Sequence, residues 1–219
     1  MAGSVKSCLC VAVLLALPFV CSSCGDDMWR EPKGVHPRVP PTDRTSRAGL
    51  IATFARAHED RHIELFAECL HTDYVFLMCE STWDIWDFPE WLSKAQDVEI
   101  TSNMFTLDAV SAVTADFTNL TQASTNPEDN FIPVVVGSPP DTMTLLWAEC
   151  AVDMHVVEET PTETVDHWVD GRAQFYLRPD PTLEGHWVIW KIKDLGDAGR
   201  KDGVSTDKST WSVLKLMFR

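Results

Sequence analysis

The chain predicts an α+β domain, on three observations. Apolar residues at three-to-four spacing are confined to the first part of the folded region, strict alternation takes over after Phe105, and no internal repeat relates the two parts. Helices that precede a run of long strands pack across one face of a curved, mostly antiparallel sheet.

The elements follow in chain order. Residues 1–23 hold one charge, Lys6, and a run CLCVAVLLALPFV of about a dozen apolar positions, the length of a secretory leader and short of the roughly 20 that span a bilayer. A removed signal peptide is expected. Next comes Cys21-Ser22-Ser23-Cys24-Gly25, which resembles the lipobox of bacterial lipoproteins, where small residues precede a cysteine that is lipidated on sulfur and becomes the mature N-terminus. The resemblance puts the lipid, palmitate among its acyl chains, on Cys24, although Cys21 stands where that pattern prefers Leu. The other reading is an ordinary signal peptide cut near Ser23, leaving Cys24 a plain thiol. Each buried CH₂ of an acyl chain contributes about 0.8 kcal/mol, and two or more chains hold firmly. The address implied is extracytoplasmic, on a bacterial membrane, the outer membrane facing the periplasm ahead of the inner one. Residues 24–46, broken by Pro32, Pro37, Pro40 and Pro41, read as an extended, disordered tether.

Charge narrows the partners. The chain has 18 basic and 33 acidic residues, net −15; without Lys6 the count is 17 against 33, net −16. Such a surface is repelled by nucleic acid and by anionic headgroups, so the covalent anchor is what would keep it at a membrane. Of seven cysteines, Cys69, Cys79 and Cys150 lie in the folded part. Two of them could pair in an oxidising compartment, and the odd one stays free or is buried as a small hydrophobe. With no surviving CxxC pair, a structural zinc knuckle is not expected, and no cofactor motif is present.

Residues 47–219 have the size of one domain. RAGLIATFARAHEDRHIELFAECL puts Leu50, Ile51, Phe54 and Ala55, then Ile63, Phe66, Ala67 and Leu70, on helical stripes, and predicts two helices with a break near Asp60. A strand from Tyr74 to Cys79 follows. Pro89 and Glu90 suit the first turn of a third helix. AVSAVTADFTNL, TMTLLWAECAVDMHVVEE, ETVDHWVDGRAQFYLRP and GHWVIWKIKD alternate as strands, with STWSVLKLMFR as a further candidate. In the third of these, Val165, His167, Val169, Gly171, Ala173, Phe175 and Leu177 share the core face. Pro127, Pro133, Pro139 and Pro140 predict a long loop between Thr121 and Asp141.

This order, with Trp91, Asn103-Met104-Phe105 and the closing WVIWKIKDLGD, resembles the nuclear transport factor 2-like superfamily, also called cystatin-like. LIATFARAHEDRHIELFAECLHTDYVF is similar to the opening of bacterial lipoproteins with that cone-shaped fold. The resemblance spans about residues 47–197. It implies a cone whose mouth holds any reacting groups, in a superfamily of isomerases, dehydratases, hydrolases, cyclases and noncatalytic binding modules, so fold alone does not select a function.

Candidate site residues fall into three sets. His58-Glu59-Asp60-Arg61-His62 formally matches the zinc-hydrolase pattern HExxH, but charged residues between Glu and the second His and the break near Asp60 argue for a solvated turn between helices; neither His71 nor His155 has a spacing that compels a third ligand. Tyr74, Met78, Trp83, Trp86, Trp91, Phe105 and His167 could line an apolar pocket, or simply close the core. The resemblance places an isomerase base at Leu77 or Met78, neither of them acidic, so Glu80 and Asp84 are the nearest general-base candidates, with His167 and Asp194 as further ones. Trp168 and Tyr176, on the outer strand face, suit a partner or homodimer surface. Two classes of function remain: a noncatalytic envelope lipoprotein binding a small apolar ligand or a protein, and a small hydrolase, isomerase or dehydratase using a pocket carboxylate with His167.

Overall fold

A computed structural model of the 219-residue chain describes residues 43–80, 89–121, 124–196 and 208–219. The signal peptide, Cys24, the tether up to residue 42, and Trp83, Asp84 and Trp86 lie outside the described residues.

Two helices open the folded body, α1 (Arg47–Glu59) and α2 (Ile63–Cys69). Ser46 caps the first, its hydroxyl accepting from the Gly49 N–H at 3.0 Å. The break falls at Asp60–Arg61, where Arg61 takes a left-handed φ of 51°. His62 then caps α2 through Nδ1, which accepts from the Leu65 N–H. The leading residues are docked rather than part of a free tether: Arg44 pairs with the Glu68 carboxylate, and its carbonyl accepts from the Trp187 N–H.

β1 (Leu70–Leu77) starts earlier than the alternation from Tyr74 suggested, because α2 ends directly into it. The third helix is a correction to its expected start. Pro89 and Glu90 are not helical; the chain runs through β2 (Trp91–Ser93), antiparallel to β1, before α3 (Lys94–Thr106) begins. Ser93 and Gln96 form a capping box, which fixes the first helical residue at Lys94, five residues after Pro89. β3 (Val110–Asn119), β4 (Ile132–Ser138), β5 (Asp141–Glu159), β6 (Thr164–Pro179), β7 (Trp187–Gly196) and β8 (Lys208–Ser209) complete the strands, and α4 (Trp211–Met217) follows them.

The sheet is open and curved, in the order β2-β1-β7-β6-β5-β3, with β4 on β5 and β8 on β6. β1–β7 and β6–β8 are parallel; the other pairings are antiparallel. The helices pack on one face, and the apolar alternation of β5 and β6 faces them: Ala148, Cys150, Val152, Met154 and Val156 with Val169, Ala173, Phe175 and Leu177 are buried. Cys69 and Cys150 are buried free thiols, both pushed up to about 12 because burial disfavours the thiolate.

Two further expectations are corrected. The proline-rich stretch expected to be one long loop contains a 3₁₀ turn, Pro127–Asn130, and then β4, which forms a hairpin with β5. Pro133 is tolerated there because β4 pairs with β5 alone among the described strands, so a missing N–H can face away from the ladder. STWSVLKLMFR is a helix, not a strand. Thr210 caps it, and Trp211, Leu214 and Phe218 recur at helical spacing on its buried side.

Candidate functional site

α4 lies between the helices and the sheet. Trp211 is 2 % exposed, with its ring 5.2 Å from Phe76 on β1, 5.4 Å from Phe117 on β3 and about 6 Å from Phe54 on α1 and Phe175 on β6, centroid to centroid. Leu214 and Phe218 are buried beside it. The rings around Trp211 thus come from four elements, α1, β1, β3 and β6, and α4 closes the space between them.

Buried polar groups surround this plug. Asp97, in the first turn of α3 where the helix dipole favours a carboxylate, is fully buried. Tyr74 Oη donates to Asp97 Oδ2 at 2.8 Å, and Lys215 Nζ donates to Oδ1 and lies 3.4 Å from Thr101 Oγ1. Burial and the Asp97 carboxylate hold the Tyr74 hydroxyl well above the usual phenol range. The Lys215 ammonium also sits 5.1 Å from the Phe76 ring, 5.4 Å from Trp211 and 5.8 Å from Phe66, all within cation–π range.

A second anchor is Asp194 on β7. Its Oδ2 accepts from the Ser212 N–H at 2.8 Å and hydroxyl at 2.5 Å, and its Oδ1 from the Gly196 N–H at 2.8 Å. Burial raises the Asp194 carboxyl above its ordinary range, with these hydrogen bonds pulling the other way. The Ser212 hydroxyl in turn accepts from the Cys79 N–H at 2.9 Å. Gly196 turns the chain here at φ 66°, and a Cβ on it would come within 2.6 Å of Cys79 Sγ.

His58 is the third group. Its Nδ1–H donates to the Phe54 carbonyl at 2.8 Å, which leaves Nε2 a bare acceptor, buried and without a partner. Burial drives its pKa from 6.5 down to about 3, and the Lys215 charge pushes the same way.

These positions redistribute the residues proposed from sequence. Tyr74, Met78 and Phe105 are buried in the core, while Trp91 is half exposed on β2. Glu80 is exposed. His167 meets a carboxylate, but it is Glu158 on the neighbouring strand, 3.1 Å from Nε2, and not Glu80 or Asp194. Asp194 joins the α4 anchor. Surface cavities of about 220, 260 and 200 Å³ lie beside Arg44 and Lys94, beside Leu92 and Arg219, and between α1 and β3; none of the three is lined by His167, Tyr74, Met78, Trp91, Phe105 or Asp194. The break at Arg61 puts His58 and His62 on separate helices with separate hydrogen bonds, so they share no metal-binding face. His58 belongs to the core and not to a solvated turn. Sequence reasoning passed over Asp97, Lys215, Trp211 and Ser212; the one available signal was the helical spacing of Trp211, Leu214 and Phe218.

No protein-family model matches the sequence, and no curated protein is similar to it. Solved structures that resemble it include a protein of unknown function from Mycobacterium tuberculosis (15 % identity, 78 % of this chain and 89 % of that one, TM-score 0.46). A nuclear transport factor 2-like superfamily protein from Salmonella enterica is similar over 71 % of this chain and 92 % of its own, at 13 % identity and TM-score 0.42. A cystatin-like protein of unknown function from Nostoc punctiforme is similar over 74 % and 97 %, at 12 % identity and TM-score 0.39. The likeness is one of architecture at low identity, and no residue's role is transferred from it.

Proposed function

We propose that the chain is a cell-envelope lipoprotein, anchored through Cys24, whose nuclear transport factor 2-like cone is a noncatalytic binding module for a small apolar ligand or a protein partner. The observation that carries the noncatalytic part is the occupied interior: Trp211, Leu214 and Phe218 fill the space in which an enzyme of this shape would hold substrate, so a small ligand would enter there only by displacing α4. The lipobox-like cysteine and the apolar leader support the anchor, and the acidic composition accords with a body that needs one. Exposed Trp168 and half-buried Tyr176, on the outer face of β6, support a homodimer through that face.

The hydrolase, isomerase or dehydratase reading has less support. It requires His167 and a carboxylate to face one cavity; their counterpart here, the His167–Glu158 pair, lines none of the three cavities described. Native mass spectrometry of the protein extracted from its own membrane tests both parts together. The expected spectrum carries acyl mass on Cys24 and a retained small molecule or partner. A freely soluble chain with an unmodified Cys24 thiol overturns the anchor, and turnover of any retained compound overturns the noncatalytic role.

A further inference from the structure

The acceptor half of the Lys215 site is assembled without α4. Tyr74 belongs to β1 and Asp97 to α3, and the hydrogen bond between them fixes Oδ2 and leaves Oδ1 for a cation. Phe66 on α2 and Phe76 on β1 supply the rings around that cation. Into this receptor α4 inserts an ammonium whose nitrogen lies 5.4 Å from the centroid of the Trp211 ring. Ring and charge together form one compact recognition unit, presented by the chain to itself.

A permanent plug has no need of the charge. Burying a lysine and an aspartate costs several kcal/mol of solvation per ion, and well-packed apolar residues of similar volume are often as stable or more so. A Leu or Met at position 215 would fill the space beside Phe66 and Phe76; Lys215 instead restricts what can occupy it. Two further observations point to an exchangeable occupant. His58 Nε2, in the same aromatic interior 6.2 Å ring to ring from Trp211, is an acceptor that α4 leaves unused. α4 has only seven residues, too few for a helix to persist alone, so it stays helical through the contacts it makes here.

We propose that α4 is an intramolecular ligand of the cone, and that Asp97, Tyr74, Phe66 and Phe76 accept in its place an arylalkyl ammonium compound, an aromatic ring joined by a short aliphatic link to a primary ammonium. The inference rests on the binding-module reading and replaces its apolar ligand with an amphipathic cation. The incoming ammonium donates to Asp97 Oδ1, the ring takes the place of the Trp211 indole, and a ring N–H has His58 Nε2 within the same interior as an acceptor.

The test uses the full chain. Lys215→Ala removes three carbons and the ammonium, and the n-propylammonium ion restores those atoms. At ten times its dissociation constant, propylammonium is expected to raise the Tm of Lys215→Ala by about 3–6 °C. Neither 1-propanol on that variant nor propylammonium on the Asp97→Asn/Lys215→Ala double variant is expected to do so. A folded Lys215→Ala with no ammonium-specific shift overturns the proposal. Should that variant not fold, amide exchange in the native chain decides. Saturating tryptamine is expected to speed exchange across residues 211–217 about tenfold, and unchanged rates overturn the proposal. Uncharged 3-ethylindole is expected to leave exchange unchanged; equal acceleration by it overturns the ammonium cage while leaving an apolar binding module standing.

Discussion

His58 and His155 both lie against aromatic rings, yet they have little else in common. His58 stands edge-on to Phe54, Phe66 and Phe105 in the sealed interior, whereas His155 lies flat on Trp168, 3.8 Å ring to ring, on the outer face of the sheet. Inside, Nε2 has no partner and the imidazole is held neutral; outside, Nε2 meets Asp166 at 2.7 Å beside water. Contact with rings is common to both, so access to solvent is what separates them. The few polar groups enclosed around α4 are therefore expected to govern stability, and the more numerous ones on β5 and β6 to leave it almost untouched.

The contrast can be broken most directly at Trp211. Trp211→Ala is expected to cost about 3–5 kcal/mol in denaturant unfolding; a loss below about 1 kcal/mol would show that α4 is not seated in the core. Close behind is Asp97→Ala, which strands the Lys215 ammonium and is expected to cost about 3 kcal/mol or more. Asp97→Leu with Lys215→Met and Tyr74→Phe, the last removing the buried hydroxyl that donates to Asp97, should recover most of that, and a triple variant as unstable as the single would refute the reading of 97 and 215 as a pair.

Next comes acid. The unfolded chain protonates His58 near 6.5, while the folded chain resists until about 3, so the unfolded state binds more protons throughout that window. Stability contributed by neutral His58 is present above 6.5 and is lost as pH falls, by about 1.4 kcal/mol per unit. His58→Leu should flatten this slope, and an equally steep variant would assign the acid sensitivity elsewhere. Smallest is the outer face: Asp166→Asn is expected to change stability by at most about 1 kcal/mol, because Asp166 is half exposed. A larger loss would mean that the outer face is covered in solution.

Much of the architecture was legible because its period is long. Seven residues of β6, at every second position from Val165 to Leu177, keep to one face, and the stripe of α1 keeps its spacing up to Asp60, where the chain does break before α2. The terminal helix was missed because its apolar set, Trp211, Leu214 and Phe218, spans just over two turns, too short to outweigh a strand reading of the same residues. β4 was hidden by prolines, which forbid a central strand yet leave an edge strand open. The interior site was the least legible part. Asp97 reads as a dipole-matching acid at the start of a helix and Lys215 as a solvated charge, and only the return of the chain's end across 118 positions brings them together.

The two sulfurs at 69 and 150 offer a clock. Both are shielded and held in the unreactive protonated form, one on α2 and one in the middle of β5. An alkylating reagent at neutral pH should reach them only when each layer opens, so their separate modification rates would time the departure of the helical layer and of the sheet independently.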